Sequence, residues 1–274
     1  MKRLKSISRA VTRELRQNKS SFLVYLILRA LVILTLVRQM FLGNYENVFL
    51  CLLTLVLLVL PSLVQVGLRI ELPSLLEIIM MLFVFSAEIL GEIDAYYIRI
   101  PNWDTVLHTL NGFLMAAIGF SLVDILNRDA RLKFSMSPLF MAIVAFCFSM
   151  TVGVVWEFFE YSMDQIFKLD MQKDTVIHMI SSVMLDPQKG NTPMIIRDIQ
   201  DVVVNGRSLE LGGYLDIGLH DTMEDLFVNF IGATIFSVIG FFYMKHRGKK
   251  SLARYFIPEL KTMKTTETQE KTAQ

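Results

Sequence analysis

Hydrophobic residues along the chain form six long runs, which short polar segments separate. An α-helix needs about 20 consecutive apolar residues to cross a bilayer, and each of the six runs is close to that length. The pattern therefore predicts an all-α fold, a six-span transmembrane helical bundle. The predicted spans cover residues 21–43, 47–68, 73–93, 104–126, 138–162 and 219–244.

Three polar segments flank or interrupt the predicted 21–244 membrane domain. Residues 1–20 form a basic N-terminal segment, and residues 245–274 form a tail whose end is poor in apolar residues and is predicted to be disordered. Residues 164–216 separate the fifth and sixth spans. Asp164–Leu185 keeps helical apolar spacing, and Asn205-Gly206 is a strong hairpin-turn signal, so this insertion is predicted to hold a small helix and a hairpin.

Lysine and arginine residues are distributed unevenly between the two sides of the predicted bundle. Residues 1–20, the loop Arg128–Lys133 and the segment Lys245–Arg254 are basic and fall on one side, whereas the short turns on the other side contain only Arg99. Basic residues accumulate in cytoplasmic loops of membrane proteins. Both termini are therefore predicted to be cytoplasmic, which makes the 164–216 insertion extracytoplasmic.

Composition supports this membrane assignment and excludes other classes. Hydrophobic residues make up 53% of the 274 residues, which is high for a soluble domain. The basic clusters lack interleaved aromatic residues, so no nucleic-acid partner is expected, and the lipid bilayer is the predicted surrounding. Cys51 and Cys147 lie within apolar runs, which predicts neither a disulfide nor a cysteine metal site. Nothing in the sequence indicates an oligomeric state.

The most unusual feature of the apolar runs is a pair of carboxylates, Glu157 and Glu160, at the end of the fifth span. A spacing of three residues places both on one helix face. A charged side chain inside a membrane helix costs on the order of 2.5–3.5 kcal/mol. Such a pair therefore needs a structural or functional reason.

Carboxylates recur at the predicted outer ends of four spans. Because the spans alternate in direction, these side chains are predicted to lie at a similar depth and to converge on one pocket. The polar residues are Glu88 and Glu92 in the third span, Asp104 and His108 in the fourth, Glu157 and Glu160 in the fifth, and Asp221 and Asp225 in the sixth.

Structural explanations compete with the functional one for several of these residues. Asp104 can cap its helix, and Asp221 can favour the helix dipole. Glu77 follows Ser74 by three residues, as in a capping box, so its predicted role is structural. His108, Glu157 and Asp225 lie about one turn or more inside apolar segments and are the predicted catalytic residues.

Carboxylates with one histidine form a hard, oxygen-rich set that suits a divalent cation such as Mg²⁺, Mn²⁺, Ca²⁺ or Zn²⁺. A cation would also neutralise carboxylates that repel one another. Without a cation, at least one carboxylate would have to be protonated, and it could then relay protons. The predicted metal ligands are Asp104, His108, Glu157, Glu160, Asp221 and Asp225.

Three function classes remain open. The favoured class is a metal-dependent enzyme that acts on a lipid or lipid-linked head group at the outer leaflet. The second is a non-catalytic membrane protein whose polar cluster binds an ion or a partner. The third is a proton- or ion-coupled transporter, although the sequence shows no inverted repeat and the charges gather on one side of the membrane.

Three motifs, each at the end of a span, resemble those of the YjdF-type family of uncharacterised bacterial polytopic membrane proteins. They are Trp103–Phe113, Trp156–Glu160, and Asp221–Leu226 with Asn229 and Gly232. The similarity covers about residues 75–245. It implies a multi-pass protein of the bacterial plasma membrane that shares Asp104, His108, Glu157, Glu160, Asp221 and Asp225, and it implies no activity.

Overall fold

The computed structural model describes residues 18–68, 70–128, 136–246, 255–257 and 259–260. The fold is mostly helical, at 69%. Most of the basic segment 1–20, most of the Arg128–Lys133 loop and the end of the tail lie outside the described residues.

The described residues form eight α-helices, one π-helix and a short 3₁₀ helix that belongs to the insertion. The α-helices are α1 (Lys19–Phe41), α2 (Tyr45–Leu57), α3 (Leu60–Leu68), α4 (Ser74–Phe85), α5 (Tyr96–Arg99), α6 (Trp103–Arg128), α7 (Pro138–Phe167) and α8 (Leu219–Lys245), and the π-helix Ser86–Ile93 continues α4.

Within the described residues, six helices are long and apolar enough to cross a membrane, which confirms the predicted number of spans. Their bounds follow the apolar runs closely, although the fifth helix continues past residue 162 to Phe167. The cytoplasmic placement of both termini stays a prediction. The six helices are Lys19–Phe41, Tyr45–Gly67, Ser74–Ile93, Trp103–Asn127, Pro138–Phe167 and Leu219–Lys245.

The second span is interrupted between α2 and α3, close to Pro61. Proline has no N–H group and clashes with the carbonyl four residues earlier, which here belongs to Leu57, the last residue of α2. The backbone responds with a tighter turn, in which the Val59 N–H donates to the Val56 carbonyl at 3.1 Å. The break therefore follows from the proline.

Glu77 does not form the predicted capping box. Helix α4 begins at Ser74 itself, and its N-cap position is held by Pro73, which makes no side-chain cap. The Glu77 side chain is buried, and its Oε1 accepts a hydrogen bond from Gln65 Nε2 at 3.3 Å. Gln65 Oε1 in turn accepts from the Leu72 N–H at 3.0 Å. Glu77 and Gln65 thus hold the α3–α4 turn together.

Replacement of Glu77 by alanine is expected to lower the free energy of unfolding by about 1–3 kcal/mol, because the buried Gln65 amide loses its acceptor. Glu77→Gln keeps a carbonyl oxygen and should lose much less. Thermal unfolding in detergent measures both variants, with Glu46→Ala on the exposed first turn of α2 as the control. If Glu77→Ala and Glu46→Ala lose equal amounts of stability, the Glu77–Gln65 hydrogen bond does not stabilise the α3–α4 turn.

Residue contacts divide the chain into two compact units, which are described separately. The first comprises residues 1–150 and 229–274, and the second comprises residues 151–228. In the first unit, small residues of α6, α7 and α8 pack around two phenylalanine rings. The buried core there includes Ala116, Ala117, Phe120, Met141, Ala145, Ala233 and Phe236.

Part of the predicted tail returns to the core of the first unit. Ile257 is fully buried in the α6–α8 cluster, and the Phe256 ring packs edge-on against Phe113 with centroids 5.1 Å apart. Strand β8 (Glu259–Leu260) pairs antiparallel with β1 (Ile70–Glu71) in the turn between α3 and α4. Phe256 and Ile257 therefore pack on the core of the first unit, although the sequence around them is rich in polar residues.

The second unit corrects the predicted helix over Asp164–Leu185. Helix α7 ends at Phe167, and only the 3₁₀ turn Val183–Leu185 is helical in the rest of that range. Apolar spacing was a poor guide here because the strands pair with distant segments. Strand β2 (Thr175–Ile177) pairs with β7 (Tyr214–Asp216), β3 (Ile180–Ser182) with β4 (Met194–Ile196), and β5 (Val203–Val204) with β6 (Arg207–Ser208). The all-α class is corrected accordingly to mostly helical with short strand pairs.

Candidate metal centre

Three buried carboxylates come together in the second unit. Glu157 and Glu160 lie on α7, and Asp225 lies on α8. Their exposed fractions are 4%, 7% and 3%. One carboxylate oxygen from each residue lies within 4.8 Å of the others. We call these three residues the carboxylate cluster.

The helices themselves explain this arrangement. Glu157 and Glu160 are three positions apart, so both project from one face of α7. Trp156 Nε1 donates a hydrogen bond to Glu160 Oε1 at 2.9 Å, and the Trp156 ring lies 5.3 Å from that of Phe159. The indole therefore fixes the orientation of the Glu160 carboxylate.

A loop that follows α7 is tied to both helices that carry the carboxylate cluster. Asp164, near the end of α7, accepts hydrogen bonds from the Met171 and Gln172 N–H groups at 2.7 and 2.9 Å. Asp221, on the first turn of α8, accepts from the Lys173 N–H at 2.8 Å. Asp221 thus has a structural contact in addition to its predicted role as a ligand.

The start of α8 is fixed by Asp216, the last residue of β7. Its two carboxylate oxygens accept from the Leu219 and His220 N–H groups at 3.1 and 2.8 Å, which caps the helix. Gly218 has φ +83°, and a Cβ atom there would lie 2.6 Å from Gln172 Cβ. The cap and the glycine position Asp225 two turns further along α8.

Asp104 and His108 lie in the first unit, near the start of α6. His108 Nε2 is 3.5 Å from Asp104 Oδ1, and only 11% of the His108 side chain is exposed. Helix α6 begins at Trp103, so Asp104 lies inside the first turn instead of at the N-cap. The Asp104 carboxylate therefore faces His108 from the first turn of α6.

One turn further along α6, a polar network links three helices of the first unit. Asn111 Nδ2 donates to Asn229 Oδ1 at 3.3 Å, and Asn229 Nδ2 donates to the Ser149 carbonyl at 3.5 Å. Ser149 Oγ donates to the Gly112 carbonyl at 2.7 Å. This network fixes the register of α6, α7 and α8.

Comparison with known proteins identifies a family for this chain. Residues 22–246 match DUF2238, a family described as predicted membrane proteins. The chain belongs to the DUF2238 family. The matched range includes the six membrane-spanning helices almost completely, and it contains every predicted site residue. No curated protein and no solved structure matches the chain.

In this DUF2238 protein, sequence reasoning missed the supporting carboxylates. Asp216 lies three residues before the first residue of α8, and an aspartate close to the start of a predicted helix is a capping signal that could have been found. The hydrogen bonds that Asp164 accepts from loop N–H groups could not be predicted, because they depend on the path of the loop. Asp124 on α6 is only 2% exposed. Its burial could not be predicted, because it lies next to a polar loop at the end of its span, where an exposed charge is common.

Several carboxylates surround Asp174 in the loop of the second unit. Desolvation raises the pKa of the Asp174 carboxyl, the charges of Asp170, Asp216 and Asp164 raise it further, and Lys173 opposes them. The folded protein therefore holds this proton more tightly than the unfolded chain does. The ionised carboxylate destabilises the fold, and that penalty disappears as the pH falls through the raised pKa.

Asp174→Asn is accordingly expected to raise the melting temperature at neutral pH, because it removes the repelled charge. The gain should shrink at about pH 3, below the ordinary aspartate pKa of about 3.9, because the carboxyl is then protonated in both the folded and the unfolded wild type. Tryptophan fluorescence during heating measures both conditions, and Glu210→Gln removes an exposed charge of the same unit as a control. A gain that is equal at both pH values would contradict the assignment.

Proposed function

We propose that this DUF2238 protein binds a divalent cation at Glu157, Glu160 and Asp225. The proposal depends on one observation, the approach of three carboxylate oxygens to within 4.8 Å of one another in a buried setting. Two oxygens that share one Mg²⁺, Mn²⁺ or Ca²⁺ ion lie at most about 4–5 Å apart, because each metal–oxygen bond measures about 2.0–2.6 Å. The cluster therefore has the dimensions of a single ion site.

Charge favours the same conclusion. Three carboxylates so close together repel one another, and burial weakens the screening of that repulsion by water. A divalent cation offsets two of the three charges and uses the oxygen ligands that Mg²⁺, Mn²⁺, Ca²⁺ and Zn²⁺ accept. Without a cation, at least one of the three carboxyl groups would have to be protonated.

The number of protein ligands favours a metal-dependent enzyme over a purely structural ion. A cation held by three carboxylates keeps coordination positions for water and for a substrate oxygen. We propose a lipid or lipid-linked head group as the substrate. A bound cation would polarise a phosphate oxygen, and the carboxylate oxygen of Glu157 or Asp225 that does not bind the cation would serve as general base. A structural ion or an ion-coupled carrier remains the alternative.

Metal analysis of the purified, chelator-treated protein tests the cation site. After dialysis against Mg²⁺, Mn²⁺, Ca²⁺ or Zn²⁺ singly, about one ion per chain should be retained for at least one of them. Asp225→Asn should lose that ion, whereas Asp201→Asn, on an exposed loop of the same unit, should keep it. Equal retention by the two variants would exclude the cluster.

Water relaxation in the Mn²⁺-loaded protein then distinguishes the function classes. Fast relaxation indicates exchangeable water on the metal, as the enzyme requires, and its absence indicates a structural ion. Flux of the cation into protein-containing vesicles would instead indicate a carrier. Asp104, His108 and Asp221 stay predicted ligands, and His108→Ala tests the proposed acid or ligand role of that residue.

We also propose the orientation that the basic loops indicate, with both termini in the bacterial cytoplasm. The support is the distribution of lysine and arginine in the sequence. In a variant that lacks Cys51 and Cys147, a cysteine introduced at Lys189 should react with an impermeant maleimide on intact cells. Reaction only after cell lysis would reverse the orientation.

A further inference from the structure

An apolar groove lies between the third and fourth spans of the first unit. Its walls are the segment Ile79–Ser86 of α4 and the adjoining π-helix, and the segment Trp103–Leu110 of α6. The groove has a volume of about 310 Å³. Among the described residues that line it, only Ser86 and Trp103 have polar side-chain atoms. A ligand that fills it must therefore be apolar along its length.

Two of the residues that line the groove are exposed on membrane-spanning helices, on a surface that we infer faces lipid. Leu82 and Val106 are 44% and 59% exposed, whereas Leu107 is 6% exposed. All three belong to helices that are long and apolar enough to span the membrane. The groove is thus continuous with the lipid-facing surface, and a lipid chain can enter it without crossing water.

One end of the groove is closed by aromatic and polar contacts. Trp103 Nε1 donates to the Ser86 carbonyl at 3.4 Å, and the Tyr96 ring packs edge-on against the Trp103 ring with centroids 5.0 Å apart. Tryptophan and tyrosine favour the boundary between the apolar core and the head groups. This end therefore matches the head-group level, and the groove extends from it into the apolar region.

The groove is shorter than one leaflet is thick, so it can receive part of one acyl chain. Seven residue steps from Ile79 to Ser86 correspond to about 10 Å of helix. One leaflet of a bilayer contributes about 15 Å of hydrocarbon. We propose that the groove binds one acyl chain of a membrane phospholipid from a single leaflet. The proposed acyl-chain site does not depend on the carboxylate cluster, so a test of cation binding does not decide it.

The test uses a phospholipid with a diazirine near the end of one acyl chain, added in small amount to phosphatidylethanolamine and phosphatidylglycerol vesicles that contain the full chain. After illumination, mass spectrometry maps the labelled residues. Labelling within 79–86 and 103–110 should exceed that at Leu26 by about fivefold or more, as for a site that is occupied selectively. Leu26 is 45% exposed and lies on α1, so it reports ordinary lipid contact.

Leu82→Trp should fill the groove and remove the excess labelling, and Leu26→Trp, at a residue of nearly equal exposure, should not. Val106→Trp and its control Val56→Trp repeat the comparison if the first variant fails to fold. Three results would each overturn the proposal. The first is groove labelling no higher than that at Leu26, and the second is excess labelling that Leu82→Trp and Val106→Trp leave unchanged. The third is labelling by a diazirine fatty acid but not by the phospholipid.

Discussion

Glu157→Gln is expected to abolish cation binding and to remove the rise in melting temperature that the cation produces. At a cation concentration about 100 times the dissociation constant, binding adds about 2.7 kcal/mol to the free energy of unfolding. For a domain of this size, that corresponds to a rise of about 5–10 °C. The neutral amide keeps one oxygen and the shape of the side chain, so the variant changes charge with little change in packing.

The same variant makes a second, opposite change when a chelator is present. Without a cation, the wild-type cluster retains its mutual repulsion, and Glu157→Gln removes part of it. The chelated variant should therefore melt at a higher temperature than the chelated wild type. Glu210→Gln, at an exposed carboxylate of the same unit, is the matched control and should leave both temperatures unchanged. A variant that keeps the cation-dependent rise would disprove the role of Glu157.

The membrane-spanning helices could be predicted from the sequence because a span depends on a local property, the length of an apolar run. The carboxylate pair Glu157 and Glu160 was recognisable for the same reason, since both residues lie on one helix and stand out from their apolar neighbours. Asp225 needed a second inference, from the alternating direction of the spans. The structure places it with the pair within one unit.

The features that could not be predicted depend on partners far away in the chain. Glu77 accepts a hydrogen bond from Gln65 instead of forming the expected cap, and no local sequence signal indicates that contact. The strand Thr175–Ile177 pairs with a segment 39 residues further on, at Tyr214–Asp216, and its apolar spacing alone fits a helix equally well. Phe256 and Ile257 are two apolar residues in a polar tail, and only the packed core shows why they are buried.

Gly232 and Gly112 allow α6 and α8 to approach each other closely. A Cβ atom on Gly232 would lie 2.0 Å from the Thr109 carbonyl oxygen and 2.9 Å from the Phe113 nitrogen. A Cβ atom on Gly112 would lie 2.2 Å from the Asn229 carbonyl oxygen. Because these neighbours are backbone atoms, no side-chain rotation can relieve the overlap. The helices approach as small residues allow in membrane bundles.

Gly232→Ala is therefore expected to lower the free energy of unfolding by about 1–3 kcal/mol or more, since the two helices must move apart. Separation would also lengthen the 3.3 Å bond from Asn111 to Asn229. Gly67→Ala is the matched control, because a Cβ atom there meets nothing within 4 Å, and alanine in a helix stabilises by about 0.5–1 kcal/mol relative to glycine. Thermal unfolding in detergent should shift in opposite directions for the two variants. If Gly232→Ala melts as high as Gly67→Ala, α6 and α8 do not approach as closely as their glycines indicate.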